Sequence, residues 1–405
     1  MFQSPFAFPN HQQNRANAVS NAVFSRAPVY DLIFQALSPR SLIRTGRTCR
    51  VAKDAVYDFS VRAFNINRHL SRFFTNPLAF RSLQACTGTL ISGSSAIQFL
   101  DRTFYPESDL DIYTHPGHAR EVGLWLMEIE GYRFEHNSVQ HADFKVELPD
   151  DWDGQERRVY SADNFNYCMK GVEAVYTFTK EQPGGEPLKV QLVDSKLNPL
   201  EVILNFHSTC VMNVIAFDAA YSLYPMATFE DRRALKLTNP RPHYISALHK
   251  YVHRGWRLIA YINAHDELSR SSFFLSRARW VNDQHSWIVP LNMEGVHLRP
   301  SMSPSSENIS WDPVIHNSWT LARTNDEKEY SEIYSQYQPS HTTVCRYNYT
   351  VAVKELLYML ISHFKPQGKL YHSITYLDKS HWTWHDADIP RIRSRYESES
   401  MLIRD

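Results

Sequence analysis

At 405 residues, with 43% hydrophobic and 13% aromatic content, the chain is long enough for roughly two or three compact units with cores of their own. Its 43 Lys and Arg balance 43 Asp and Glu, which excludes a bulk electrostatic pull on nucleic acid or membrane. The five scattered cysteines (Cys49, Cys86, Cys168, Cys210, Cys345) form no C-x-x-C pair, which argues against a disulfide framework or a zinc ribbon and for a reducing compartment. No basic-then-apolar leader opens the sequence and no apolar run reaches about 18 residues. The expectation is an intracellular protein, cytoplasmic or nuclear, with no membrane partner.

Residues 1–26 are polar, with Gln12, Gln13, Asn14 and Asn17, and read as a disordered lead-in. Helical spacing begins with Val29, Leu32, Ile33, Ala36 and Leu37, and Pro28 suits the first turn, where a missing N–H costs nothing. Ser38-Pro39 breaks that helix, and Leu42 and Ile43 start another. Cys49, Ala52, Ala55, Val56, Phe59, Ala63, Ile66, Leu70 and Phe73 form a long stripe that ends near Asn76-Pro77. Residues 27–83 are expected to be a small helical module.

This module resembles a degenerate F-box: PVYDLIFQAL, a break at SP, SLIRTGRTC, then RVAKDAVYDF. The resemblance implies docking to the Skp-type adaptor of a cullin ubiquitin ligase, through Pro28, Leu32, Ile33 and Leu42. The family's Leu-Pro opening is Ala27-Pro28 here, and the third-helix Trp is absent.

The next stretch, Thr89 to Thr114, carries the chemistry. Leu90 and Ile91 run into Gly93-Ser94-Ser95, and an amphipathic segment follows through Ala96, Ile97, Phe99 and Leu100. A second apolar run then carries Asp109 and Asp111, spaced by one residue. On a strand those two carboxylates share a face while Leu110 and Ile112 point into a core. Two like charges side by side need a cation or a basic group between them, so the stretch reads as a metal or phosphate site. Beyond it, His115-Pro116-Gly117-His118 breaks the chain. A helix through Val122, Leu124, Trp125 and Ile129 follows, with Gly131 as its stop. Residues 142–158 read as an exposed loop. Strands at 172–179 and 188–193 flank the hairpin signal Pro183-Gly184-Gly185. Residues 199–206 suit a short helix and 210–217 another strand.

Residues 84–229 therefore form a mixed α/β unit that looks like the nucleotidyltransferase fold of the DNA-polymerase-β type. Gly93-Ser94 match the glycine-serine turn of that family, and Asp109-Leu110-Asp111 match its acidic-apolar-acidic strand. The resemblance implies that Gly93, Ser94 and Ser95 approach the phosphates of a nucleotide and that Asp109 and Asp111 hold Mg²⁺. It also implies a third carboxylate on a neighbouring strand. The matching position, in Val190-Gln191-Leu192, is Gln191, an amide that supplies neither charge nor a base. Glu173, in Val172-Glu173-Ala174, is the substitute, with Asp194 a weaker one. As a whole, the F-box-like helices followed by this α/β unit look like a group of fungal F-box-like proteins.

Residues 230–405 read as a helical and loop-rich region. Helices are expected at 231–237, at 245–264 and at 351–363, a docked loop at 278–287 and a Pro/Ser-rich linker at 298–312. Lys250, His253, Arg254 and Arg257 read as a solvated basic face, with contact to a phosphate as the sharper alternative. The 19 histidines include no H-E-x-x-H. The fold class expected is α+β. The function expected is an F-box-like interaction protein whose second domain binds a nucleotide or phosphate ligand with catalysis weak or lost. The alternatives are an active Mg²⁺-dependent nucleotidyltransferase, with Asp109, Asp111 and Glu173 as catalytic acids, and a purely structural interaction protein.

Overall fold

The computed structural model describes residues 20–149, 170–237, 244–262, 273, 277–298, 309–324, 332–340, 342–372 and 384–402. The architecture is α+β, with one large mixed sheet, flanking helices, and helices at both ends of the described chain. Two compact units divide it, Met1–Asn65 with Phe229–Asp231 and Ile66–Thr228 with Arg232–Asp405. No helix among the described residues is long and apolar enough to cross a membrane.

The smaller unit is built on α1 (Ala27–Ala36), α2 (Pro39–Gly46) and α3 (Arg50–Ala63). Its core is Tyr30, Phe34, Leu42, Ala55 and Phe59, with the Phe34 ring 5.3 Å from Tyr30 and 5.5 Å from Phe59. The aromatic pair Tyr30 and Phe34, four residues apart on one helical face, wins the core position. The face read as the buried stripe is turned out: Val29, Leu32 and Ile33 are 38%, 74% and 41% exposed. Arg62 staples α1 to α3, reaching Asp31 at 2.7 Å and Asp58 at 2.7 Å. The Glu230 carboxylate accepts from Ser38 Oγ at 2.6 Å and from the Arg40 N–H at 2.8 Å, at the start of α2.

This unit ends at Asn65, short of the expected boundary at residue 83. Next come α4 (Ile66–Leu70) and α5 (Pro77–Thr87), which belong to the larger unit. The reason is polar as well as apolar. Arg81 donates to the Phe217 carbonyl at 2.7 Å, and Gln84 Nε2 donates to the carbonyls of Thr89 and Ile215.

The sheet of the larger unit takes eight strands: β1 (Leu90–Ser92), β2 (Leu110–Thr114), β3 (Arg133–Glu135), β4 (Val172–Lys180), β5 (Leu188–Ser195), β6 (Asn213–Ile215), β7 (Ala219–Ser222) and β11 (Trp287–Pro290). Between β7 and β11 in the chain come β8 (Arg233–Leu235), β9 (Arg257–Ile259) and β10 (Arg279–Trp280). The order across the sheet is β11-β7-β6-β1-β2-β5-β4-β3. Only β2 and β5 run parallel within it; every other neighbour pair is antiparallel. A parallel pair needs a crossover between its strands, and α7 (Ala119–Glu128), β3, the short helix α8 (Phe144–Glu147) and β4 lie between β2 and β5 in the chain. Ile91, Leu110, Ile112, Tyr176, Phe178, Val190 and Leu192 are fully or almost fully buried, whereas Asp111, Thr177, Lys189 and Gln191 keep partial exposure. That is the period-2 alternation of a sheet with one dry and one polar face.

Several expected elements differ. The helix expected at 231–237 is absent: Arg233–Leu235 form β8, paired in parallel with β9. Arg232 sits at φ +49 and Gly255 at φ +96, left-handed turns that stop a helix on either side. The helix expected over 245–264 stops as α10 (Tyr244–His253), and residues 263 and 264 lie outside the described residues. Residues 142–149 are not simply an exposed loop, since Phe144 is 1% exposed against the sheet. A Cβ at Gly123 would meet its ring at 2.2 Å, so the glycine makes room for that aromatic. Residues 150–158 lie outside the described residues. The short helix expected at 199–206 is α9 (Pro199–Leu204), and only Asn213–Ile215 of the strand expected at 210–217 is extended. In the last third, β12 (Ser318–Arg323) pairs with β10 and β13 (Ile333–Gln336), and β14 (Gln338–Pro339) pairs with β15 (Thr350–Val351). The terminal helices α11 (Lys354–His372) and α12 (Ile389–Leu402) close a second apolar cluster around Leu356, Leu360, Phe364 and Ile392.

Candidate functional site

Strand β1 delivers the chain into α6 (Gly93–Asp101) through a single left-handed residue, Gly93, at φ +65. The conformation is natural for glycine and strained for other residues. Space demands glycine as well, because a Cβ at position 93 would stand 2.5 Å from Asp111 Oδ2. The Asp111 carboxyl is therefore seated against the first residue of α6. Ser92 gives that helix no side-chain cap, since its hydroxyl donates instead to the Asn213 carbonyl at 2.6 Å. The first-turn N–H groups of a helix have no intrahelical partner and favour an anion.

Ser94 and Ser95 occupy that first turn, 7% and 1% exposed. Ser95 Oγ lies 2.9 Å from His69 Nε2, and burial, with Arg72 nearby, pushes that imidazole down to about 4. A neutral His69 thus fixes the serine turn from behind. Gln98 ties the far end of the turn to the next loop, donating to the Ser94 carbonyl at 3.0 Å and accepting from the Tyr105 N–H at 2.6 Å.

The register of the sheet sets what faces the two carboxylates. Asp111 pairs with Ser92 on β1 and with Gln191 on β5, and Gln191 pairs in turn with Thr177 on β4. The position expected to carry a third acid is thus beside Asp111, and an amide stands there. One step back, Lys189 Nζ is 3.2 Å from Asp109 Oδ2. The motif Asp-x-Asp at the start of β2 lies next to Lys-x-Gln on β5.

Glu173, expected to substitute for the third acid, is not brought to the pair. It lies four residues along β4 from Thr177, at an irregularity near the Ser195 end of β5, about 13 Å away along the strand. The hairpin register, not the local apolar-acid-apolar pattern, decides its position. Asp194 is also displaced toward that end, opposite Thr114, whose Oγ1 lies 3.4 Å from its Oδ1. Of the residues named from the sequence, Gly93, Asp111 and Gln191 are neighbours, Asp109 stands two residues before Asp111, and Ser95 turns its hydroxyl to His69.

Four cations face this corner: Lys250 and Arg254, already named from the sequence as part of a basic face that could meet a phosphate, and Lys189 and Arg72, which no motif singled out. Lys189 and Lys250, the latter on α10, both pull on Asp111. Burial, followed by the neighbouring Arg254, lowers the Lys250 ammonium, which Asp111, Glu107 and Asp109 hold up. Arg254 donates to Glu107 Oε1 at 2.8 Å and lies 3.6 Å over the Tyr105 ring. Arg72 donates to the carbonyls of Tyr105 and Pro106 and feels Glu107 and Asp109. Asp111 is pushed up to about 7, first by removal from water and then by the Asp109 charge. Lys189 was legible only once its strand's neighbour was known; for Lys250 the sequence offered a basic face, and the placing of α10 supplies its neighbours Asp109 and Asp111.

For a divalent cation, the site offers the Asp109 carboxylate, already in contact with Lys189, the Asp111 carboxyl, and the Gln191 amide at the third position. Among the described residues no group of three or more His, Cys, Asp or Glu is arranged to hold a metal. This donor set falls short of the three carboxylates that the resemblance implies, since the third position offers an amide. No protein-family model, curated protein or solved structure matches the chain.

Of the four positions expected to meet an adaptor, Pro28, Leu32 and Ile33 lie on the exposed side of α1. Leu42 does not: it is 3% exposed and part of the core of the smaller unit. Its neighbour Ile43, 41% exposed, faces out instead.

Proposed function

We propose that the larger unit binds a phosphate-bearing ligand, a nucleotide first of all, and does not turn it over. A polymerase-β-like cradle is the reading that accounts for the largest number of its features. The observation that carries it is the Asp111 carboxyl seated 2.5 Å from where a Cβ at Gly93 would be, at the uncapped start of α6. The glycine turn at Gly93 is what lets this strand carboxylate reach the start of α6. The same corner argues against transfer chemistry. Gln191 takes the place of the acid that would help deprotonate an acceptor hydroxyl, and Glu173 is on another part of the sheet.

We further propose that the smaller unit is an adaptor-docking module of the F-box kind. The exposed apolar face of Val29, Leu32, Ile33 and Ile43, 38–74% exposed, supports it, since soluble proteins leave such faces uncovered where a partner covers them. Leu42 contributes by holding α2 in place rather than by contact.

Calorimetric titration of the full chain with ATP tests the first proposal. Saturable binding is expected, weakened about tenfold in Lys250→Ala, the loss of one good charge contact. An absence of heat at any ATP concentration contradicts it. Pull-down with a Skp-type adaptor tests the second: wild type should retain the adaptor and Leu32→Asp/Ile33→Asp should not, and equal retention by both contradicts docking through this face.

A further inference from the structure

The face that would hold a metal is supplied with positive charge by the chain itself. Asp109 immediately precedes β2 and Asp111 stands on it; on β5 Gln191 pairs with Asp111, and Lys189 Nζ lies 3.2 Å from Asp109 Oδ2. Lys250 approaches from α10 and is coupled to Asp109, Asp111 and Glu107 together. Counting Arg254 and Arg72, four fixed cations face three carboxylates at this corner. Mg²⁺ is taken through one or two carboxylates plus ligand phosphates, and an ammonium in contact with such a carboxylate competes with the ion for it. Here Lys189 already lies 3.2 Å from the better exposed of the two aspartates. An anion meets the opposite balance: surplus positive charge, and a helix start without a side-chain cap.

We propose that the lysines have taken over the role of the metal, so that this site captures the phosphates of its ligand through Lys189, Lys250 and the start of α6 with no divalent cation. Lysine serves as a point charge on phosphate where no planar fork is needed. The two aspartates then hold the ammonium groups in position. The inference rests on the phosphate-binding reading, and it fails separately from it.

Two measurements on the full chain decide it. ATP is titrated calorimetrically in EDTA and again with excess Mg²⁺. Free Mn²⁺ is titrated with the protein alone and followed by its electron paramagnetic resonance signal. The expected result is ATP affinity in EDTA within about threefold of that in Mg²⁺, no loss of free Mn²⁺ signal, and at least about tenfold weaker binding in EDTA for Lys189→Met/Lys250→Met. Both lysines lie on partly or fully exposed positions, and the wild-type comparison stands without the variant. ATP binding that requires Mg²⁺, or sequestration of Mn²⁺ by the protein, overturns the inference and leaves the phosphate-binding reading in place. Binding in neither medium overturns both.

Discussion

A Cβ at position 93 would have to occupy space already held by Asp111 Oδ2, in a backbone conformation that alanine adopts only with strain. Gly93→Ala is therefore expected to cost about 1–3 kcal/mol, read as a lower urea midpoint, and to weaken ATP binding as the carboxyl is displaced. Asp111 itself makes stability depend on pH. Its carboxyl titrates near 7 in the fold, above the ordinary carboxylate range, because burial and Asp109 disfavour the charge. The folded state thus holds a proton that the unfolded chain has released. The favourable contribution is complete below about pH 4 and is lost as pH rises through about 7. Asp111→Asn should raise the midpoint of thermal unfolding by a few degrees at pH 8 and leave it nearly unchanged at pH 4. An equal effect at both pH values would contradict this account of the carboxyl.

At the scale of elements, α1 shows why a correct helix can be given the wrong face. Val29, Leu32, Ile33 and Ala36 satisfy helical spacing as well as Tyr30 and Phe34 do. The larger aromatic area goes inside, where it meets Phe59. The consequence is testable. Leu42→Asp puts an unpaired charge into the core and should destabilise the smaller unit by about 3 kcal/mol or more. Leu32→Asp, at a position 74% exposed, should change its stability by less than about 0.5 kcal/mol. Glu230 caps α2 from far along the chain, and Glu230→Ala should cost about 1 kcal/mol by the same urea measurement. Elements defined by local signals were legible: the Gly93 turn, the β2 strand, the Gly184 hairpin and the Gly131 stop all sit where their residues place them. Those defined by pairing were not. β8 and β9 are short, three residues each, and hold their shape by bonding each other and not through any repeat of their own.

For the whole molecule, the part of the site carried on contiguous chain was readable, and the part assembled across strands was not. Asp109, Asp111 and Gly93 lie within twenty residues of one another. Lys189 and Lys250 join them only through the β2–β5 register and the placing of α10. The same register removes Glu173, whose local pattern imitates a third acid. Electrostatics across the larger unit therefore changes the meaning of the motif. Two aspartates beside a glycine turn suggest metal-assisted transfer, whereas two aspartates met by two lysines and an amide are what the proposed phosphate-binding reading rests on.

That central claim, binding without turnover, is tested most directly by measuring both on one sample. The full chain is saturated with ATP labelled in its terminal phosphates, in the presence of Mg²⁺ and of a hydroxyl acceptor mixture, and pyrophosphate release is followed alongside bound nucleotide. The account predicts bound ATP that stays intact, with release no faster than in buffer. Pyrophosphate released at a rate proportional to protein, and abolished by Asp109→Asn, would contradict it.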